Sequence, residues 1–213
     1  MSTVTEETPE ITETTTDKWV YLFDEGRQTF LTRAAGLGMD AHEYIKQDLI
    51  AVREVDPGEL TPGEFVSTLR DCVERDRTRV VVIDSLNGYL TAMPDERALA
   101  LNLREVIRYL GHHGVLTLLV VAEHRLVGGV LDPPVDISYL ADTVLMLRYF
   151  EAAGEVRRAI TVAKRRTGSH GRTIHELRIG PGIHVGGPLT EFEGVLAGSA
   201  TRARPPSRKT DDR

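Results

Sequence analysis

The chain has 213 residues, a formal net charge of −6, 41% hydrophobic and 27% charged residues, and one cysteine. That is enough for one domain with a real core. It excludes an internal disulfide, and the acidic balance speaks against a general nucleic-acid binder. No apolar run approaches the roughly 20 residues needed to span a bilayer. The N-terminus carries no signal-peptide pattern, so a cytoplasmic location is expected.

Taken in order, residues 1–18 are Thr-rich and acidic with scarcely a large apolar side chain, and are expected to form a disordered head. Trp19–Phe23 is a dense run of β-formers, hence a buried strand, and it ends in Asp24-Glu25-Gly26. Phe30, Leu31, Ala34 and Ala35 recur at helical spacing until Gly36 and Gly38 stop them. Asp40 can cap a short second helix holding Tyr44 and Ile45. Leu49–Val55 reads as another strand. Thr61-Pro62-Gly63-Glu64 has capping-box form with proline at the first helical position, opening a helix striped by Phe65, Leu69, Cys72 and Val73.

Arg79–Gly88 is the stretch around which the rest is arranged. Its four consecutive β-branched residues, Val80 to Ile83, suit a strand buried on both faces, and it stops at Asp84-Ser85. In α/β sheets ligands bind outside the carboxyl ends of the strands, so Asp84 stands where a site forms. Taken alone, the same residue can simply cap the following loop. Next comes a helix carrying Leu99, Leu103, Val106, Ile107 and Leu110, then Val115–Ala122, the most apolar strand and so expected at the sheet centre. Glu123-His124 ends it. This alternation predicts a mostly parallel sheet with helices on both faces. Thr143–Glu151 and Glu155–Arg166 then alternate like an antiparallel hairpin, extended by Thr173–Ile179 and Ile183–Val185. From Gly198 a short basic tail is expected to be disordered, leaving residues 19–197 as the domain.

Three pieces in this order resemble the KaiC-like branch of the RecA superfamily of ATPases. They are Phe23-Asp24-Glu25; Val82-Ile83-Asp84-Ser85-Leu86; and Asp142–Tyr149 followed by Arg158-Ala159-Ile160, Lys164-Arg165-Arg166 and His170. The resemblance runs from about Trp19 to Gly198. It implies an α/β RecA-like fold with a C-terminal antiparallel hairpin extension. It also implies that Glu25, with Asp24, activates the attacking water, and that Asp84 holds Mg²⁺ in the Walker B position with Ser85 beside the nucleotide. Glu123 falls where relatives sense the γ-phosphate, and Lys164 and Arg166 where they reach a neighbouring subunit's nucleotide. The bland alternatives are solvated acidic turns for the carboxylates and a charged strand end for the two cations.

One departure counts against self-sufficiency. The family's phosphate loop, G-x-x-x-x-G-K-[ST], occurs nowhere in the sequence, so the first strand and helix of the family's domain are expected to be missing. That loop's amides and lysine supply most of the positive environment for the β- and γ-phosphates. The expectation is a regulatory or assembly subunit of a nucleotide-dependent ring, with ATP and Mg²⁺ bound at an interface with KaiC-like ATPase subunits. The alternatives are an ATP-hydrolysing or autophosphorylating enzyme whose phosphate loop comes from another chain, or a truncated non-functional relative. DNA binding ranks lowest, since the loops that would touch it offer only Arg97 and Arg125.

Overall fold

The structure, a computed structural model, describes residues 18–23, 26–54, 61–87, 96–122 and 138–203. Its first half alternates strand and helix. β1 (Lys18–Phe23), β2 (Ile50–Glu54), β3 (Thr78–Asp84) and β4 (Leu116–Val120) form a parallel sheet in the order β2-β1-β3-β4. α1 (Gly26–Gly36) and α2 (Ala41–Lys46) pack along β1 and β2, with Asp40 accepting from the Glu43 amide at 3.3 Å as the cap of α2.

α3 (Pro62–Glu74) starts where its capping box predicts. The Thr61 side chain accepts from the Glu64 amide at 3.3 Å, and the Glu64 carboxylate accepts from the Thr61 amide at 2.9 Å. α4 (Glu96–His112) presents Leu103, Val106 and Leu110 inward. Those three pack with Phe65, Leu69 and Cys72 of α3 on Val20, Leu22, Val81 and Ile83 of the sheet, making the main core. Cys72 is fully buried there, and burial raises its thiol pKa. It is a small core residue, as its place in the stripe indicates. The Thr78 hydroxyl donates to the Cys72 carbonyl at 2.7 Å, fixing the turn from α3 into β3.

The second half is antiparallel. β5 (Thr143–Ala152), β6 (Glu155–Arg165), β7 (His175–Gly180) and β8 (Gly182–Pro188) form one sheet in chain order. Phe150, Ala152, Ala159, Leu189 and Val195 give it a separate small core. Over that core Arg157 stacks on Phe150 and Phe192, 5.6 and 5.4 Å from the ring centres. The same guanidinium donates twice to Glu176 Oε1, at 2.9 and 2.7 Å.

β9 (Phe192–Glu193) and β10 (Thr201–Arg202) close the fold around Gly194. That residue has φ +77°, and a methyl there would lie 2.6 Å from the Ser199 carbonyl oxygen. The stretch Gly198–Ala203, assigned from composition to the basic tail, is paired: the Glu151 amide donates to Gly198 O, and the Ala203 amide to Glu191 O. Among the described residues no helix is long and apolar enough to cross a membrane.

One expectation is corrected. The most apolar strand, β4, lies at the end of its sheet among the described residues, paired with β3 and nothing else. Composition records how much burial a strand needs; strand order depends on which distant segments lie beside it.

Candidate functional site

The parallel register sets the geometry. Phe23 lies opposite Asp84, and Asp84 opposite Val120, so β1, β3 and β4 end level with one another. Asp84 is the last residue of β3 and is half-buried, as is Ser85 after it. Strand β3 reaches this point because Val80 to Ile83 are buried. Asp24 and Glu25 follow directly on Phe23 in sequence, and Glu123 lies three residues beyond Val120; all three fall outside the described residues.

Asn87 holds this edge together. The Asn87 side-chain amide donates to the Ala122 carbonyl at 2.8 Å, and its carbonyl oxygen accepts from the Ala122 amide at 2.9 Å. This two-point clamp ties the loop after Asp84 to the end of β4. A planar amide can mimic a neighbouring backbone in this way, and the sequence hint was an asparagine directly after a strand-ending Asp-Ser-Leu.

The second group of candidates lies at the far end of the β5–β6 hairpin. Lys164, near the end of β6, donates to the Ser138 carbonyl at 2.8 Å. Arg166, just past that strand, donates to the Tyr139 carbonyl at 2.9 Å and pairs with Asp142 at 2.8 Å, while its amide donates to Asp142 O at 2.7 Å. The turn at residues 138–142, which leads into β5, is therefore gripped by both cations. The Arg166–Asp142 pair is exposed, so it contributes little to stability. His170 is half-buried nearby in sequence.

The donor set limits what metal this edge could hold. No group of three or more His, Cys, Asp or Glu side chains poised for a metal occurs among the described residues. Magnesium keeps several waters and is commonly held by one or two carboxylates plus substrate phosphates. Asp84 could supply one carboxylate of such a set and by itself makes no cage for a free ion.

With this geometry in hand, the family can be stated. A family model described as "ATPase: KaiC" matches residues 15–189. The chain belongs to the KaiC ATPase family. Its α/β fold of a parallel sheet with helices and an antiparallel extension is that of a RecA-like domain. Circadian clock protein KaiC3 of Synechocystis is 28% identical over 183 residues, covering 84% of this chain and 36% of that protein. Circadian clock oscillator protein KaiC of Synechococcus elongatus is 25% identical over 184 residues, covering 86% of this chain and 35% of the relative. The KaiC of Prochlorococcus marinus is 25% identical over 199 residues, 91% of this chain and 38% of that protein. The chain thus spans little more than a third of the length of these curated relatives.

Proposed function

We propose that this chain acts as a KaiC-type ATPase domain in trans, docking beside a complete ATPase subunit and offering Lys164 and Arg166 to that subunit's MgATP. The observation that carries the reading is the placement of these two cations together at one corner of the hairpin, each donating to a backbone carbonyl of the turn at residues 138–142. A cation acting on a neighbour's nucleotide needs no phosphate loop of its own chain. Arg166 is held by an exposed aspartate and a carbonyl, both replaceable by phosphate oxygens, which a guanidinium binds in the same forked geometry. Assembly with KaiC-like subunits, in a ring, and nucleotide bound at the shared interface are parts of the same proposal.

In its own strand ends the chain keeps Asp84 as a single Mg²⁺ ligand, with Ser85 beside the nucleotide. Glu25, with Asp24, takes the part of base toward water, and Glu123 that of a γ-phosphate sensor. These carboxylates repel a triphosphate unless a metal and a lysine intervene. A second reading is an enzyme completed by a phosphate loop from another chain, favoured by the level ends of β1, β3 and β4 around Asp84. Equilibrium dialysis with MgATP tests what the two readings share; stimulation of a complete ATPase subunit by this chain and not by its Arg166→Ala variant separates them. The chain alone is expected to bind more weakly than about 100 μM (about −5.5 kcal/mol). Tighter binding by the purified chain contradicts both readings.

A further inference from the structure

We infer that the turn at residues 138–142 is a built-in competitor for Lys164 and Arg166, a latch that a phosphate chain must displace before these cations can hold it. The inference rests on the proposed function for the nature of that anion, a triphosphate, and adds the regulation of the same site by this chain's own turn. The hairpin aims both cations at the turn. From Leu145 to Ala152 β5 pairs with β6 in step, but the register slips between Val144 and Leu145. Leu145 lies opposite Val162 and Val144 opposite Lys164, which leaves Ala163 without a partner in β5. A bulge of this kind bends its strand and re-aims the side chains that follow. Lys164, half-buried, donates its ammonium to Ser138 O, and the Arg166 guanidinium spans Tyr139 O and the Asp142 carboxylate. Acceptors of one short turn thus occupy the donors that would meet phosphate.

The turn is held in place from behind. Leu140, its middle residue, packs against the main core of the parallel half. The Arg166 amide also donates to Asp142 O, fixing the backbone on both sides of the pair. Opening the latch therefore means that the two side chains leave while the turn stays. Their hold suits that movement. The Arg166 and Asp142 side chains are 53% and 77% exposed, and an ion pair in such a setting contributes little. A triphosphate offers several charged oxygens, arranged for forked contact, in place of one carboxylate and two neutral carbonyls.

The role of Asp142 decides the sign of the effect. An aspartate that orients Arg166 in its working pose supports anion binding, and neutralising it loses affinity. An aspartate that competes for Arg166 opposes anion binding, and neutralising it gains affinity. The shared contacts place Asp142 in the second role, because the guanidinium cannot give the same N–H groups to the carboxylate and to phosphate at once.

Titration of the full chain with inorganic tripolyphosphate at low salt, followed through the backbone amide NMR signals of residues 164–166, tests this without a second subunit. Asp142→Asn is expected to tighten binding about two- to fivefold, the range an exposed ion pair commands, and Arg166→Ala to weaken it. Removing any nearby negative charge also favours an anion, so Asp142→Asn is repeated in the Arg166→Ala background. A latch acting through Arg166 predicts no gain there. An equal gain in both backgrounds overturns the inference. So does a loss or no gain from Asp142→Asn alone, or a wild type that shows no saturable binding. The trans reading fails separately: a chain that shows the latch and still does not stimulate a complete ATPase subunit overturns that reading only.

Discussion

Ala153 shows how local strain is distributed in this chain. It turns β5 into β6 together with Gly154, and the two residues have φ of 54° and 79°. Glycine accepts that conformation freely, whereas an alanine there costs about 1–2 kcal/mol. Two-residue hairpin turns of this hand favour Asn-Gly. Ala153→Asn is therefore expected to stabilise the protein by about 0.5–1 kcal/mol, read as a melting temperature about 1–4 °C higher. Glu176 is the opposite case, a carboxylate whose surroundings favour it. Hydrogen bonds from Arg157 hold its pKa below the ordinary glutamate range against the cost of burial, with Arg178 adding to them. A carboxyl depressed in the folded state contributes its stability above the unfolded pKa and loses it as pH falls through the folded value. Glu176→Gln is expected to cost about 2 kcal/mol at neutral pH. The gap between wild type and variant should narrow in urea melts as pH falls below the ordinary glutamate range; a gap that stays constant down to the most acid pH at which the protein folds would show the effect to be packing alone.

At the scale of elements, what was legible in the sequence was what is local. The box Thr61–Glu64 involves residues three apart, so its start of α3 could be read directly, and Thr61→Ala is expected to cost about 1 kcal/mol in a chemical melt. Buried stripes on α3 and α4, and the all-apolar run of β3, follow from periods of 3.6 and from β-branching. What stayed hidden was pairing between distant segments. The order that leaves β4 at an end is not written in its composition. The partners of Lys164 and Arg166 at residues 138 and 139 are backbone carbonyls, which every residue carries. Nor does an asparagine announce that it will clamp a strand 35 positions away. Asn87→Ala is expected to cost only about 0.5–1 kcal/mol, since the Ala122 amide and carbonyl are exposed and water can replace the lost bonds. Hydrogen exchange should then speed up at Ala122 and leave α3 untouched.

On the scale of the whole molecule, two small cores divide the labour. The parallel half brings Asp84 to the level ends of β1, β3 and β4, and the antiparallel half holds two cations on its own turn. The chain belongs to the KaiC ATPase family, and the proposed function gives its two hairpin cations a neighbour's nucleotide to act on. The trans reading joins these observations through Arg166. Its most direct test is steady-state ATP hydrolysis by a complete KaiC-family ATPase titrated with this chain or with its Arg166→Ala variant. A rate that rises to a plateau with the wild type and stays at the level of the complete subunit alone with the variant is the predicted result; no rise, or an equal rise with both, contradicts it.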